Sequence, residues 1–406
     1  MPARLRDGHL GCTIGTAWRS SMINKRRPTI VLVTNYYIPT LGGITTYVRS
    51  LARILKERGY EVPVIAFPAW FSKREDAIRS KLVYRVVHEL AVTVFVMIVL
   101  GKILGLRLAG KRVIVHTHSA SFCLEAGVLA RLFGARVIHT FHSPIEKCTI
   151  RLSSLMPFAN ALVCVSEEHR ALYVETCDIS PDTALIPGGV DCEIFHPVSL
   201  EEKKKAMLEL AESSAVETLS GPVILFVGRV VKEKGAEVLL EAAGKVNAEF
   251  PNAAFIVIGP LDQSRSQREF ADNLKRQIGP GMRYHLVGTL SQYQLKRAYQ
   301  ASDIFVCPAV WEEASPMVVV EAMATGLPVI ASRIGGLKSR IVDGVNGLLV
   351  EPGDSGQLAE AILDFLRHPE KGSEAGKKSR ELAVAKYSVE TMTSACEEIY
   401  QRVAMA

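Results

Sequence analysis

Two glutamates eight positions apart frame the stretch richest in chemistry, Pro308-Ala-Val-Trp-Glu-Glu-Ala-Ser-Pro-Met-Val-Val-Val-Glu-Ala-Met-Ala-Thr-Gly-Leu-Pro328. Ser315 is a good N-cap, and Pro316 suits the first helical position because its missing N–H is no loss there. The pattern predicts a helix of about ten residues, stopped by Gly326-Leu327-Pro328. Glu321 then lies mid-helix, roughly 7–8 Å along the axis from the first turn, and Glu313 lies in the loop before the cap. A carboxylate among Val318, Val319, Val320, Ala322 and Met323 is costly to bury unless it accepts hydrogen bonds, and the vicinal hydroxyls of a sugar or ribose are suitable donors. The free N–H groups of Met317 and Val318 offer an anion site at a positive helix end. Phosphate at the helix start and hydroxyls on the glutamates describe a sugar nucleotide. The plainer alternative is a capped core helix whose Glu321 reaches solvent.

Phosphate charge must be met. No D-x-D occurs, so the usual divalent-cation grip is missing, and neither G-x-G-x-x-G nor G-x-x-x-x-G-K-[ST] follows a strand, which argues against simple dinucleotide oxidoreductases and P-loop enzymes. Side chains for the task stand in Phe226-Val-Gly-Arg-Val-Val-Lys-Glu-Lys-Gly235, where Arg229 and Lys234 flank one strand-to-helix loop. Each could contribute a charge-assisted hydrogen bond of about 1.5–3 kcal/mol, whereas Lys232 reads as solvated. His116, His118, Ser119, His142, Ser143 and Ser166 follow strand C-termini, where open α/β sheets bind ligands. Three histidines admit a metal, but no carboxylates of the usual arrangement accompany them.

The elements that must position these residues alternate in the manner of doubly wound α/β architecture. Strands are predicted at 30–34, 62–67, 113–116, 137–141 and 161–165, with helices at 44–58, 125–133, 167–175 and 201–211. A linker at 212–222 opens a second series: strands at 223–227, 254–258, 284–287 and 304–307, helices at 236–250 and 292–301, and a last helix at 387–403. Leu90 to Leu100 is almost continuously apolar within residues 86–108. The charge-free run is shorter than the roughly 20 residues that cross a bilayer, so a buried core helix is read first and a helix lying in a membrane interface second.

At 406 residues the chain suits two domains. Its net charge of +6 sits mostly in residues 1–27, where six basic residues face one acid. This leader reads as disordered, with Met22 an alternative start and a membrane-touching basic tail the sharper reading. No basic stripe with interleaved aromatics argues for nucleic acid. The eight cysteines are scattered without C-x-x-C, several in apolar runs, so reduced thiols in a cytosolic protein are expected rather than disulfides or structural zinc.

These motifs together resemble the retaining glycosyltransferases of family 4, over roughly residues 29–400. The resemblance is carried by Glu313 and Glu321 at E-x7-E spacing before Ala-Met-Ala-x-Gly-x-Pro-Val, by Gly-Arg-x4-Lys-Gly, by Pro-Gly-Gly-Val-Asp191, by Gly42-Gly43, and by Gly335-Gly336 before Asp343-Gly-x-Asn-Gly347. It implies a GT-B fold: two facing Rossmann-like doubly wound domains with the donor site in the cleft. The N-terminal acceptor-side domain would run over 28–218, the donor domain over 219–386, and a helix at 387–406 would cross back to the first domain. It also implies roles. Arg229 and Lys234 would hold the donor diphosphate, Glu321 the ribose and Glu313 the transferred sugar, while Met317 and Val318 offer amides to the phosphates. Gly42 and Gly43 would approach the donor closely, and His142 would sit beside the anomeric carbon. Two positions depart from the family: Pro316 stands where many relatives have glycine, and Ser339 where an acid often follows Gly-Gly.

The activity so implied is metal-independent, retaining transfer of a hexose-type sugar from a UDP- or GDP-sugar to a glycan or lipid-linked acceptor. No cofactor is expected, and the implied setting is cytoplasmic, peripheral on the inner membrane face, in cell-envelope polysaccharide or glycolipid synthesis. A sugar-nucleotide epimerase using His116, His118 and His142 is the alternative enzyme, and a non-catalytic sugar-nucleotide-binding subunit the alternative binding protein. Glycoside hydrolysis fits poorly, since one mid-helix carboxylate and one before the cap do not make a facing pair.

Overall fold

The computed structural model describes residues 27–35, 42–68, 81–142, 150–180, 183–214, 216 and 219–405. The leader up to residue 26 and Ser143 lie outside the described residues. Two six-stranded sheets organise the chain, in keeping with the expected doubly wound α/β architecture, and the second holds two strands, Val329–Ser332 and Gly347–Val350, that the sequence reading did not give. The first contains β1 (Thr29–Thr34), β2 (Val64–Ala66), β3 (Val113–His118), β4 (Arg136–Phe141), β5 (Ala161–Cys164) and β6 (Ala184–Leu185), in the order β2-β1-β3-β4-β5-β6. The second contains β7 (Val223–Val227), β8 (Ala254–Ile258), β9 (Tyr284–Gly288), β10 (Ile304–Cys307), β11 (Val329–Ser332) and β12 (Gly347–Val350), in the order β12-β11-β10-β7-β8-β9. Its strands pair in parallel throughout. Strands buried on both faces read as unbroken apolar runs, and β8, Ala-Phe-Ile-Val-Ile, is buried at every position.

The second sheet starts near its middle. The chain leaves β7 toward β8 and β9, then returns to lay β10 on the other side of β7. That reversal parts the loops following β7 and β10 and makes a crevice at the carboxyl ends of the strands, the usual ligand position in such sheets. Those loops are Gly228–Gly235 and Pro308–Pro316, the two segments that carry the chemistry read from the sequence.

Two compact units are present, one of Met1–Thr140, Ser154–Ala161 and Glu398–Ala406, the other of Phe141–Ser153 and Leu162–Glu397. In the first unit the C-terminal helix Val389–Met405 ends against β3, where His116 Nδ1 is 2.7 Å from the Tyr400 hydroxyl. In the second, the helix Leu200–Ser214 packs on the helix Gln292–Ala301 through Arg297, which donates to Glu209 at 2.7 Å, and Lys203 bonds Asp303 at 2.6 Å.

The apolar stretch in the first unit forms part of a long helix, Lys81–Leu108. One face is core, with Val92, Phe95, Val96, Val99, Ile103 and Leu106 buried against the sheet. The opposite face is also apolar and lies open: Leu90, Val94, Met97 and Ile98 are each more than half exposed, and Leu108 is 80% exposed. The expected core helix is therefore only half buried. The segment Arg85–Leu108 is long and apolar enough to span a bilayer by length and composition, which the shorter charge-free run did not suggest.

The thiol expectation needs one correction. Cys123, Cys164, Cys192, Cys307 and Cys396 are free and buried, but Cys177, a partly exposed residue at the end of the helix Glu167–Cys177, is disulfide-bonded. Spacing alone did not reveal it because disulfide partners need only be near in space.

Candidate functional site

The loop after β7 carries the cations. Gly228 N–H bonds Ile258 carbonyl at 2.9 Å, and the chain then turns through the short 3-10 segment Lys232–Lys234 into Gly235, whose φ of 75° is left-handed. Only glycine fits there: a Cβ would lie 1.8 Å from the Pro308 carbonyl oxygen. The Val310 amide bonds Glu233 carbonyl at 3.0 Å, so the cation loop and the acid loop are tied backbone to backbone. This tie brings Lys234 and Glu313 together as an ion pair, with the Glu313 side chain 12% exposed. Arg229 is exposed and has no partner among the described residues.

Gly335 and Gly336 clamp the acid loop from the other side. The Gly336 amide donates to Glu313 carbonyl at 2.6 Å, and a Cβ on either glycine would come within 2.6 Å of that loop's atoms. The close approach is the physical reason for the glycine pair.

The helix itself starts one residue later than the capping rules predict. It spans Met317–Thr325 with Pro316 as an extended N-cap, and no side chain caps it. The Ser315 hydroxyl is taken elsewhere, accepting from Arg340 Nη2. Capping by Ser315 is therefore a misreading, and the first helical amides, those of Met317 and Val318 among them, stay free of a side-chain cap.

Glu321 lies mid-helix as predicted, but it does not reach solvent: it is 9% exposed. Tyr299 donates to its Oε2 at 2.9 Å. Burial pushes the carboxyl up to about 7, and the Tyr299 hydrogen bond only partly opposes this. Oε1 accepts nothing from the described residues, which leaves it for a ligand hydroxyl. Cys307, at the end of β10, is pushed up to about 12 by burial, with Glu313 adding and Lys234 opposing, and stays a thiol rather than a nucleophile.

In the first sheet the histidines part company. His116 is buried with both ring nitrogens engaged, Nδ1 to Tyr400 and Nε2 to the Thr140 hydroxyl, each at 2.7 Å. His118 is buried with its ring 4.3 Å from that of His116. Both His116 ring nitrogens are engaged within the protein, which takes this residue out of the acid and base set an epimerase would use. His142 follows the end of β4 and is partly exposed. Among the described residues no three metal-ligating side chains converge. Gly42 precedes the helix Gly43–Glu57 with an extended φ and open space around its Cβ position, so backbone strain does not require glycine there.

Sequence reasoning named Ser119 but missed Asn35 and Thr45, two further polar residues near these strand ends. Asn35 Oδ1, Thr45 Oγ1 and Ser119 Oγ are buried without a partner among the described residues, and Ser119 has a φ of 64°. Unsatisfied polar atoms and a left-handed non-glycine residue at strand C-termini mark a ligand-facing end. Asn35 and Thr45 look like ordinary flanking residues in the sequence.

Residues 41–194 match the family described as Glycosyltransferase Family 4, and residues 212–382 match Glycosyl transferases group 1. The chain is 30% identical over 307 residues to a D-inositol 3-phosphate glycosyltransferase of Corynebacterium urealyticum, covering 71% of each protein. The chain belongs to glycosyltransferase family 4. A second relative of this family-4 chain is the UDP-Gal:alpha-D-GlcNAc-diphosphoundecaprenol alpha-1,3-galactosyltransferase of Escherichia coli, 28% identical over 265 residues. That match covers 62% of this chain and 65% of the relative, under two thirds of its length. Among solved structures, the sucrose-phosphate synthase of Thermosynechococcus elongatus superposes with a TM-score of 0.75 at 23% identity, over 93% of this chain and 99% of that one. Family-4 membership and this likeness agree with the two parallel sheets in assigning a GT-B fold.

Proposed function

We propose that this family-4 glycosyltransferase moves a hexose-type sugar from a UDP- or GDP-sugar to a glycan or lipid-linked acceptor, with retention at the anomeric carbon and without a metal. The observation that carries the reading is the uncapped helix start at Met317 beside the paired Lys234 and the unpaired Arg229, at the switch point of the second sheet. As the glycosidic bond lengthens, charge collects on the departing diphosphate. Arg229, Lys234 and the amides of Met317 and Val318 stabilise that charge, and such interactions strengthen in the transition state. Glu321 Oε1 takes the ribose hydroxyls and Glu313 the sugar's. Lys234 orients Glu313 while sharing its own charge with the phosphates. With no nucleophile at hand, a diphosphate oxygen on the same face draws the proton from the acceptor hydroxyl.

A membrane-borne acceptor is part of the proposal. The open apolar face of the Lys81–Leu108 helix suits a bilayer interface, Arg85, Lys102 and Arg107 are exposed on the same helix, and the E. coli relative acts by its name on an undecaprenol-linked sugar. The protein then works at the cytoplasmic membrane face in envelope polysaccharide or glycolipid synthesis.

Calorimetric titration with UDP, GDP and ADP in the presence of chelator tests the donor site. One nucleotide binds, and Arg229→Ala weakens it roughly ten- to hundredfold, the value of one charge-assisted contact. Because Arg229 is exposed and unpaired, its loss leaves the melting temperature unchanged. Absence of binding, or binding indifferent to Arg229, overturns the reading. NMR of the product anomer during turnover tests retention.

A further inference from the structure

Arg340 is almost wholly buried, at 1% exposure, and its guanidinium carbon lies 4.1 Å from the centre of the Tyr387 ring. Nη2 donates to the Ser315 hydroxyl, while Nη1 is buried with no acceptor among the described residues. A buried cation with an unmet N–H is costly, and a well-packed apolar side chain in its place is often no worse for stability. The Tyr387 ring and the Glu168 carboxylate offset part of that cost, and the bond to Ser315 gives the side chain a second effect.

That effect lies in what Ser315 would otherwise do. Were Ser315 the N-cap, Pro316 would be the first helical residue, and the serine hydroxyl would accept from the second or third. Those are Met317 and Val318, whose amides are the ones offered to the donor diphosphate. Instead Pro316 stays extended, with φ −68° and ψ 112°, and the helix begins at Met317. The short helix Leu337–Arg340 is fixed to the same loop by the Gly336–Glu313 backbone bond, so Arg340 reaches Ser315 from a rigid base.

We propose that Arg340 is a positioning residue that withholds the Ser315 hydroxyl from the helix start and so keeps the Met317 and Val318 amides open to the diphosphate. The proposal rests on the donor-site reading above. It makes binding affinity depend on a competition within the chain, between an internal cap and the ligand.

The test is a titration series on the full chain with whichever of UDP and GDP the unmodified protein binds. Arg340→Met frees Ser315 to cap the helix and weakens nucleotide binding about tenfold, the scale of one cap. Adding Ser315→Ala to Arg340→Met removes the competing hydroxyl and restores affinity to within about twofold of the unmodified chain. A purely structural role for Arg340 predicts the opposite, since deleting a second side chain cannot repair packing. Unrestored affinity in the double variant, or undiminished affinity in Arg340→Met, overturns this inference alone. Failure of the unmodified chain to bind either nucleotide overturns the donor reading together with it.

Discussion

Glu321 is the residue whose chemistry is most sharply set by its surroundings. Its carboxyl is raised from an ordinary 4.5 to about 7, chiefly by burial. The folded value lies above the unfolded one, so the native chain holds an extra proton between these limits. This group's contribution to stability is complete below about pH 4.5 and falls as pH rises through 7, by an order of 3 kcal/mol. Ligand hydroxyls donate to the ionised form and reverse the trend at the site. Nucleotide binding should expel a fraction of a proton near pH 7, and affinity should fall toward tenfold per unit below it. Calorimetry in two buffers of different ionisation enthalpy reads the proton directly, and Glu321→Gln should abolish the share that does not belong to the phosphates. An unchanged proton count in that variant would show that the ribose is not held there.

Among elements, the loops after β7 and β10 matter more than the helix they serve. Gly235 is where they interlock. Gly235→Ala adds a Cβ that would lie 1.8 Å from Pro308 carbonyl, on top of a left-handed φ. The Glu233–Val310 tie should break, with a stability loss above the roughly 1–3 kcal/mol of backbone strain alone and loss of nucleotide binding. Gly353→Ala is the comparison: its φ is 82° but nothing lies within 4 Å, so it should cost only about 1 kcal/mol and leave binding intact. Equal effects of the two on melting temperature would show that the interlock is not a constraint. Much of this architecture was legible. The apolar runs of β7, β8 and β10 and the Ser291-x-x-Gln294 capping box that starts the helix Gln292–Ala301 are local signals, and local signals survive in a sequence. The cap at Ser315 was misread because its competitor, Arg340, stands 25 residues away. The helix Arg265–Gln277 went unread because it is polar overall, with Phe270, Ala271 and Leu274 its apolar residues. The Lys234–Glu313 pair joins two loops from different strands, and no spacing rule connects them.

At the scale of the whole molecule, the proposed membrane seat rests on the open face of the Lys81–Leu108 helix. Leu90, Val94 and Met97 are 61%, 59% and 64% exposed. Changing all three to glutamine should abolish co-sedimentation with anionic vesicles while leaving the melting temperature nearly unchanged, because none of them packs in the core. Persistent binding by the triple variant would move the membrane contact off this face, and no binding by the unmodified chain would remove the membrane from the picture.

The first unit gathers residues from both ends of the described chain: β1, β3 and β4 from one end, and Tyr400 and its neighbours from the other. His116 Nδ1 pairs with the Tyr400 hydroxyl, and Arg112 meets the Ala404 carbonyl. On a ribosome adding about 5–20 residues per second, Tyr400 follows β4 by on the order of tens of seconds. Throughout that interval the residues of the second unit emerge, while His116 has yet to meet Tyr400. The half of the chain that is made first is therefore the half whose last parts are made last.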